Sequence, residues 1–175
     1  AGRTYADWLA LPDNLKLLTV QIDCVEGLRR NSKCILTLHF VRLFFQLFIL
    51  LESKDQAHVK AALDAVETYC KGAFRAAFPV MLGDRGSEFL DFSKIERGLD
   101  GSRRTRMFYC DPVKPGQKGS CEKNHVELRK IVPKGTDFDA LSFDDVSKAC
   151  SHVNSYPRAG QGVAPIQLAS LVLPK

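Results

Sequence analysis

Apolar positions run through this chain in two periods. Over residues 15–25 (LKLLTVQIDCV) they alternate with polar ones, the period of a strand with one buried face. Residues 26–33 are polar and turn-like. Two near-continuous apolar runs follow at 33–41 and 44–52, rich in β-branched and aromatic side chains, as strands covered on both faces are. The Arg42-Leu43 junction between them is a poor turn signal. Ser53 with Gln56 three residues on reads as a capping box. The helix it opens repeats Val59, Ala62, Leu63, Val66 and Tyr69 at helical spacing. Residues 77–82 (AFPVML) form a short buried strand that ends at Gly83-Asp84. A short helix at 93–97 and a strand at 105–110, stopped by Asp111-Pro112, come next. A flexible basic loop at 114–120 leads into a helix from 120 to about 132, terminated by Pro133 and Gly135. Ser142 with Asp145 caps a last clear helix carrying Val146, Ala149, Cys150 and Val153 at i, i+3, i+4 and i+7. The tail after Asn154 is basic and irregular, turning helical from Pro165.

Three strands, helix, strand, short helix, strand and two helices is an α/β order. Three consecutive strands pair as an antiparallel meander, and two later ones, each reached through a helix, add in parallel. The expected architecture is a five-stranded mixed sheet, three antiparallel strands then two parallel, flanked by helices. Its functional site belongs beyond the carboxyl ends of the strands. Residues 1–18, with a turn at Pro12, Asp13 and Asn14, are expected as a lead-in or linker segment, and 19–175 as the domain proper.

Composition narrows the classes. With 175 residues, 45% hydrophobic and 26% charged, the chain suits one domain with a full core, which excludes disordered and fibrous architectures. A net charge of +5 is compatible with a phosphate-bearing partner without requiring one. Six cysteines lack any CxxC pair, so they read as reduced thiols of a cytoplasmic protein. The membrane-like stretch 34–51 is interrupted by His39, Arg42 and Gln46, each costly at mid-bilayer, so no membrane association is expected. The first 18 residues lack the basic-then-apolar layout of a secretory signal.

Three acids stand out by position. Asp23 sits late in an apolar strand, Asp84 directly follows a buried one, and Glu122 lies in the first turn of a helix behind a basic loop. An unpaired carboxylate in a strand core is expensive. Three converging carboxylates repel one another unless divalent cations sit between them, and hard oxygen ligands are what Mg²⁺ prefers. Two such ions activate an attacking oxygen and stabilise a leaving one in phosphodiester displacement. A strand-end Asp is also an ordinary turn or cap residue, and a first-turn Glu answers a helix dipole. Position alone leaves both readings open.

The strings around these acids discriminate. GDRGSEF (83–89), RTRMFYCDP (104–112) and KGSCEKNHVELRKIVPKGTDF (118–138) resemble the catalytic core of bacterial insertion-sequence transposases, specifically the family numbered thirty. The likeness extends to GRTYADWL (2–9), ILTLHFV (35–41), FPVML (78–82) and HVNSYPR (152–158), in the family's order and over essentially the whole chain. The resemblance implies an RNase H-like fold and an Asp-Asp-Glu metal triad on Asp23, Asp84 and Glu122. It implies two Mg²⁺ ions, with Mn²⁺ as substitute. The implied activity is metal-dependent cleavage of transposon ends and strand transfer into target DNA by a bacterial cytoplasmic enzyme that works as a homo-oligomer. The chain departs from the family in places: Arg85 stands where Asn follows the second Asp, Gly83 where Thr is usual, Gln21-Ile22 before Asp23 where the family has Glu-Met or Gly, and the end of the chain is loosely matched.

His125 falls on the same helix face as Glu122, three residues on, and is a candidate to touch the scissile phosphate or position a metal-bound oxygen, with an ordinary polar-face histidine as the alternative. Lys118, Lys123, Arg129 and Lys134 surround that helix as candidate DNA-phosphate contacts, with a solvated charged face as the alternative for each. Arg103, Arg104 and Arg106 form a second basic group with the same ambiguity. Two other functions stay open: a catalytically decayed DNA-binding or assembly module, favoured by Arg85, and a general RNase H-like nuclease.

Overall fold

The apolar runs of the first third fold as an antiparallel meander of β1 (Thr19–Glu26), β2 (Cys34–Phe40) and β3 (Phe45–Leu51). The structure is a computed structural model that describes residues 2–112, 114–157 and 162–172, the side chains of 115, 118–124 and 172 excepted. β4 (Val80–Gly83) pairs in parallel with β1, and β5 (Arg106–Tyr109) in parallel with β4. The described residues thus form the expected five-stranded mixed sheet, in the order β3-β2-β1-β4-β5. β2 lies inside the sheet and is buried along its whole length, so its sequence shows no alternation. The Arg42-Leu43 junction is a 3-10 turn over Val41–Leu43, closed by Phe44 at φ +53°. A side chain in the left-handed region replaces the usual glycine, and this is why no turn signal marks the hairpin.

One face of the sheet carries Val20, Ile22, Leu36, Leu38, Met81 and Met107, packed under α3 (Gln56–Cys70), α4 (Phe74–Ala77) and α5 (Phe92–Glu96). On the opposite face, Val25, Ile35 and Phe48 pack against Leu128 of α6 (Gly119–Ile131) and Val146 and Val153 of α7 (Phe143–Ser155). α8 (Pro165–Val172) lies against β3 and brings Ala169 into the first cluster. No helix among the described residues is long and apolar enough to cross a membrane; the stretch 34–51 is β2 and β3.

Residues 2–18, expected as a lead-in, fold onto the sheet. They hold α1 (Tyr5–Leu9) and α2 (Asp13–Lys16), and Tyr5, Trp8, Leu11 and Leu15 pack on Val80, Leu82, Phe108 and Cys110. Trp8 Nε1 donates to Thr19 Oγ1 at 3.0 Å, and the Arg3 guanidinium meets Glu96 at 2.8 Å. Leu15 therefore belongs to a helical turn and β1 starts at Thr19, four residues later than the alternation alone indicates. Two other boundaries move for local reasons. The cap of α3 is Asp55, whose carboxylate accepts from the N–H groups of Ala57 and His58, and not Ser53. Residues 74–77 are helical, so the strand expected at 77–82 is confined to β4.

Candidate functional site

The pairing of β1 with β4 aligns the two aspartates. Gln21 lies opposite Leu82, and continuing that register by two residues sets Asp23 opposite Asp84. The register holds one step past the paired residues, because a β-carbon on Gly83 meets Ile22 Cγ2 at 2.9 Å and Met107 Cε at 2.7 Å. The same contacts give the glycine departure at 83 a packing cause. In-register neighbours on parallel strands point to the same face, with backbones about 4.8 Å apart. On that register Asp23, in the second half of β1, and Asp84, one residue past the end of β4, fall on the same face of the sheet. Val25, two residues beyond Asp23, packs with Leu128, so that face is the one α6 covers.

Each carboxylate is oriented by a backbone N–H close in sequence. Asp23 Oδ1 accepts from Cys24 N at 2.9 Å, and Asp84 Oδ1 accepts from Gly86 N at 2.9 Å, an Asx turn that bends the chain away from β4. Both residues are half-buried. A buried glutamate lies behind the turn. Glu88 is 4% exposed, its carboxylate stands 2.6 Å from where a Gly86 β-carbon would lie, and Lys54 Nζ is 3.6 Å from its Oε1. Cys24, next to Asp23, is a free thiol hydrogen-bonded to that of Cys34; this hydrogen bond and burial push its pKa up, which keeps it a packing thiol and not a nucleophile.

α6 docks beside Asp23 through His125. Its Nε2 lies 3.2 Å from the hydroxyl of Thr37, and that hydroxyl donates to the carbonyl oxygen of Asp23 at 3.2 Å. Glu122 lies on α6 three residues before His125, on the same helical face. Its side chain, like those of Lys118 and Lys123, is outside the described residues. The described residues hold no group of three His, Cys, Asp or Glu side chains placed to bind a metal ion, and Glu122 is not among those side chains.

Beyond Asp23 runs a groove of about 690 Å³, bordered by Glu26, Gly27, His125, Arg129 and Lys134. Lys134 is exposed at its rim. Arg129 is engaged with the backbone: Nη2 donates to the carbonyl of Glu26 at 2.7 Å and Nη1 to that of Pro133 at 3.4 Å, and burial pulls its pKa down. It ties the second half of α6 to the end of β1. The second basic group divides. Arg103 is exposed, Arg106 stacks over Phe108 at 4.8 Å, and Arg104 is buried at 1% exposure among protein partners. Arg85 is exposed beside Asp84, and its charge reaches Tyr109, whose hydroxyl burial pushes up to about 12.

Sequence reasoning missed Thr37, and nothing in a strand rich in Thr and Leu singles it out; only its pairing with Asp23 and the packing of α6 do so.

No family model matches the chain. It is similar to the transposase for insertion sequence element IS1086 of Cupriavidus metallidurans, 33% identical over 76 residues. That match covers 43% of this chain and 22% of the relative. It is also similar to the transposase for insertion sequence element IS4351 of Bacteroides fragilis, 25% identical over 79 residues, or 45% of this chain and 23% of that protein. The matched stretches thus span less than a quarter of the relatives' length. Among solved structures, the catalytic core domain of BIV integrase superposes with a TM-score of 0.59 at 14% identity, over 87% of this chain and 93% of that one. The fold is RNase H-like. At that identity the likeness carries the architecture alone.

Proposed function

We propose that this chain is the catalytic domain of a DNA transposase, with Asp23, Asp84 and Glu122 as its acidic triad. The observation that carries the reading is the register of β1 and β4, which, continued by two residues, sets Asp23 opposite Asp84 on the face covered by the helix that bears Glu122. The insertion-sequence transposases it resembles over part of its length support it.

The donor set suits a divalent cation. Two half-buried carboxylates fall on one face by the β1–β4 register, each already oriented by a backbone N–H, and hard oxygen donors with room for water are what Mg²⁺ or Mn²⁺ takes. Asp23, Asp84 and Glu122 would hold two such ions, which supply the charge that activates an attacking oxygen and stabilises a leaving one in phosphodiester displacement. The protein's own part is to fix the acids and the DNA. The turn after Asp84 and the strand pairing of Asp23 set the carboxylates before substrate arrives, so little reorganisation accompanies reaction. Lys134 at the groove rim, with Lys118 and Lys123 near the start of α6, neutralises backbone phosphates without reading sequence. His125 borders the groove beside Asp23, within reach of a phosphate bound there. Arg129 acts from its carbonyl-bound position by holding the wall of the groove. Synapsis of two DNA ends calls for a homo-oligomer, and the setting is the bacterial cytoplasm.

The test is nicking of duplex DNA by the chain with Mg²⁺ or Mn²⁺, then joining of pre-cut ends to a target duplex. Nicking that Asp84→Asn abolishes supports the proposal. Arg85, exposed beside Asp84, favours a second reading, a DNA-binding module that has lost its chemistry. A parent chain that binds DNA but is inert with both ions decides for that module.

A further inference from the structure

We infer that Thr37 is a positioning residue whose hydroxyl sets the tautomer of His125 and, through it, the seat of α6 against β1 at the level of the acids. The inference rests on the triad proposed above. Thr37 lies directly opposite Asp23 in the β1–β2 pairing and is fully buried, at 0% exposure. Its one hydroxyl oxygen stands 3.2 Å from the Asp23 carbonyl and 3.2 Å from His125 Nε2. A carbonyl oxygen only accepts, so the single hydroxyl proton goes to Asp23. The hydroxyl then has lone pairs alone to offer the imidazole, and His125 must carry its proton on Nε2. One buried atom thereby joins β1, β2 and α6.

The position of this tie along α6 gives it its consequence. Leu128 in the apolar cluster and Arg129 on the Glu26 carbonyl hold the second half of the helix. Among the described side chains of α6, His125 is the tie nearer the helix start, and Glu122 lies three residues before it, about 4.5 Å along the axis. A shift of α6 at His125 therefore moves the turn that bears Glu122, while Asp23 stays fixed by its strand and Asp84 by its turn.

The experiment compares Thr37→Val, which removes the hydroxyl at nearly constant shape, with Thr37→Ser, which keeps it. The readout is Mn²⁺ binding to the whole chain, followed by calorimetry and by the paramagnetic signal of free Mn²⁺. Thr37→Val is expected to weaken Mn²⁺ binding about tenfold, the scale of an outer contact that orients metal ligands, and Thr37→Ser to bind as the parent does. Thr37→Val binding Mn²⁺ like the parent, at a temperature where both are folded, overturns the inference and leaves the triad standing. Mn²⁺ binding by the parent that is absent or indifferent to Asp84→Asn overturns the triad, and the inference with it. A measurement on the parent alone covers the case in which Thr37→Val does not fold. Long-range ¹H–¹⁵N correlation of the imidazoles, with His125→Gln to assign the signal, is expected to show neutral His125 as the Nε2–H tautomer. The Nδ1–H tautomer would overturn the inference.

Discussion

Replacing Arg104 with Met isolates a buried charge that the sequence presents as one of three basic neighbours. The guanidinium is 1% exposed and makes four contacts: Nη1 to Asp64 at 2.7 Å and to Glu67 at 3.0 Å, Nε to the Ile95 carbonyl at 2.8 Å, and Nη2 to the Lys94 carbonyl at 3.2 Å. Met fills much of the same volume and satisfies none of these partners. Breaking a buried ion pair by removing one member costs about 3–5 kcal/mol, because the remaining charge stays buried. The lower end applies here. Asp64 keeps Lys60 as a partner and is 22% exposed, and Glu67 keeps the Leu99 N–H. A loss of about 3 kcal/mol lowers the melting temperature of a chain this size by about 6–12 °C. Guanidinium unfolding and calorimetry at neutral pH measure it, with Arg103→Met, an exposed neighbour, expected within about 0.5 kcal/mol of the parent. DNA affinity of the folded Arg104→Met chain is expected unchanged. A loss under about 1 kcal/mol, or weakened DNA binding at unchanged stability, would refute the structural role.

Gln46 is fully buried on β3 with neither amide atom hydrogen-bonded among the described residues, so Gln46→Met is expected to stabilise by about 1 kcal/mol, removing the desolvation cost of the amide. Destabilisation on urea unfolding would show that the amide is bonded in solution. Acid sensitivity has a defined window. Backbone bonding from His58 holds the Asp55 carboxyl at about 2, and the Arg75 guanidinium holds Asp100 at about 2, both below the ordinary 3.8. Groups with depressed folded-state pKa values add stability that is complete above 3.8 and is lost as pH falls toward 2. Unfolding free energy should fall over that interval, less steeply in Asp55→Asn; a flat profile there contradicts the assignment.

β1 was legible from its alternation, β2 and β3 from their near-continuous apolar runs, and the Ser142–Asp145 capping box opens α7 as its spacing indicates. The stripe of α3 was legible at Val59, Ala62 and Leu63, all buried, but it ends too soon for Tyr69, which is 87% exposed in the last turn. The packing of α1 and α2 was not, since Tyr5, Trp8, Leu11 and Leu15 find their surface on β4 and β5, far along the chain. Arg104 is the same case. The partners that bury it, Asp64 and Glu67, lie 40 and 37 residues away, and no local pattern distinguishes it from Arg103. At the site, Asp23 stood out because an unpaired carboxylate within an apolar strand is costly, and the strings around Asp84 and Glu122 marked those two, whereas Thr37 looked like any strand threonine.

The most direct test is a crystal of this chain soaked in Mn²⁺ and measured at the manganese absorption edge. Anomalous density bounded by the carboxylates of Asp23, Asp84 and Glu122, and absent from an Asp84→Asn crystal soaked in the same way, is the predicted result. Manganese seated elsewhere, or Glu122 carried away from the two aspartates with no density between them, would contradict the assignment of this site.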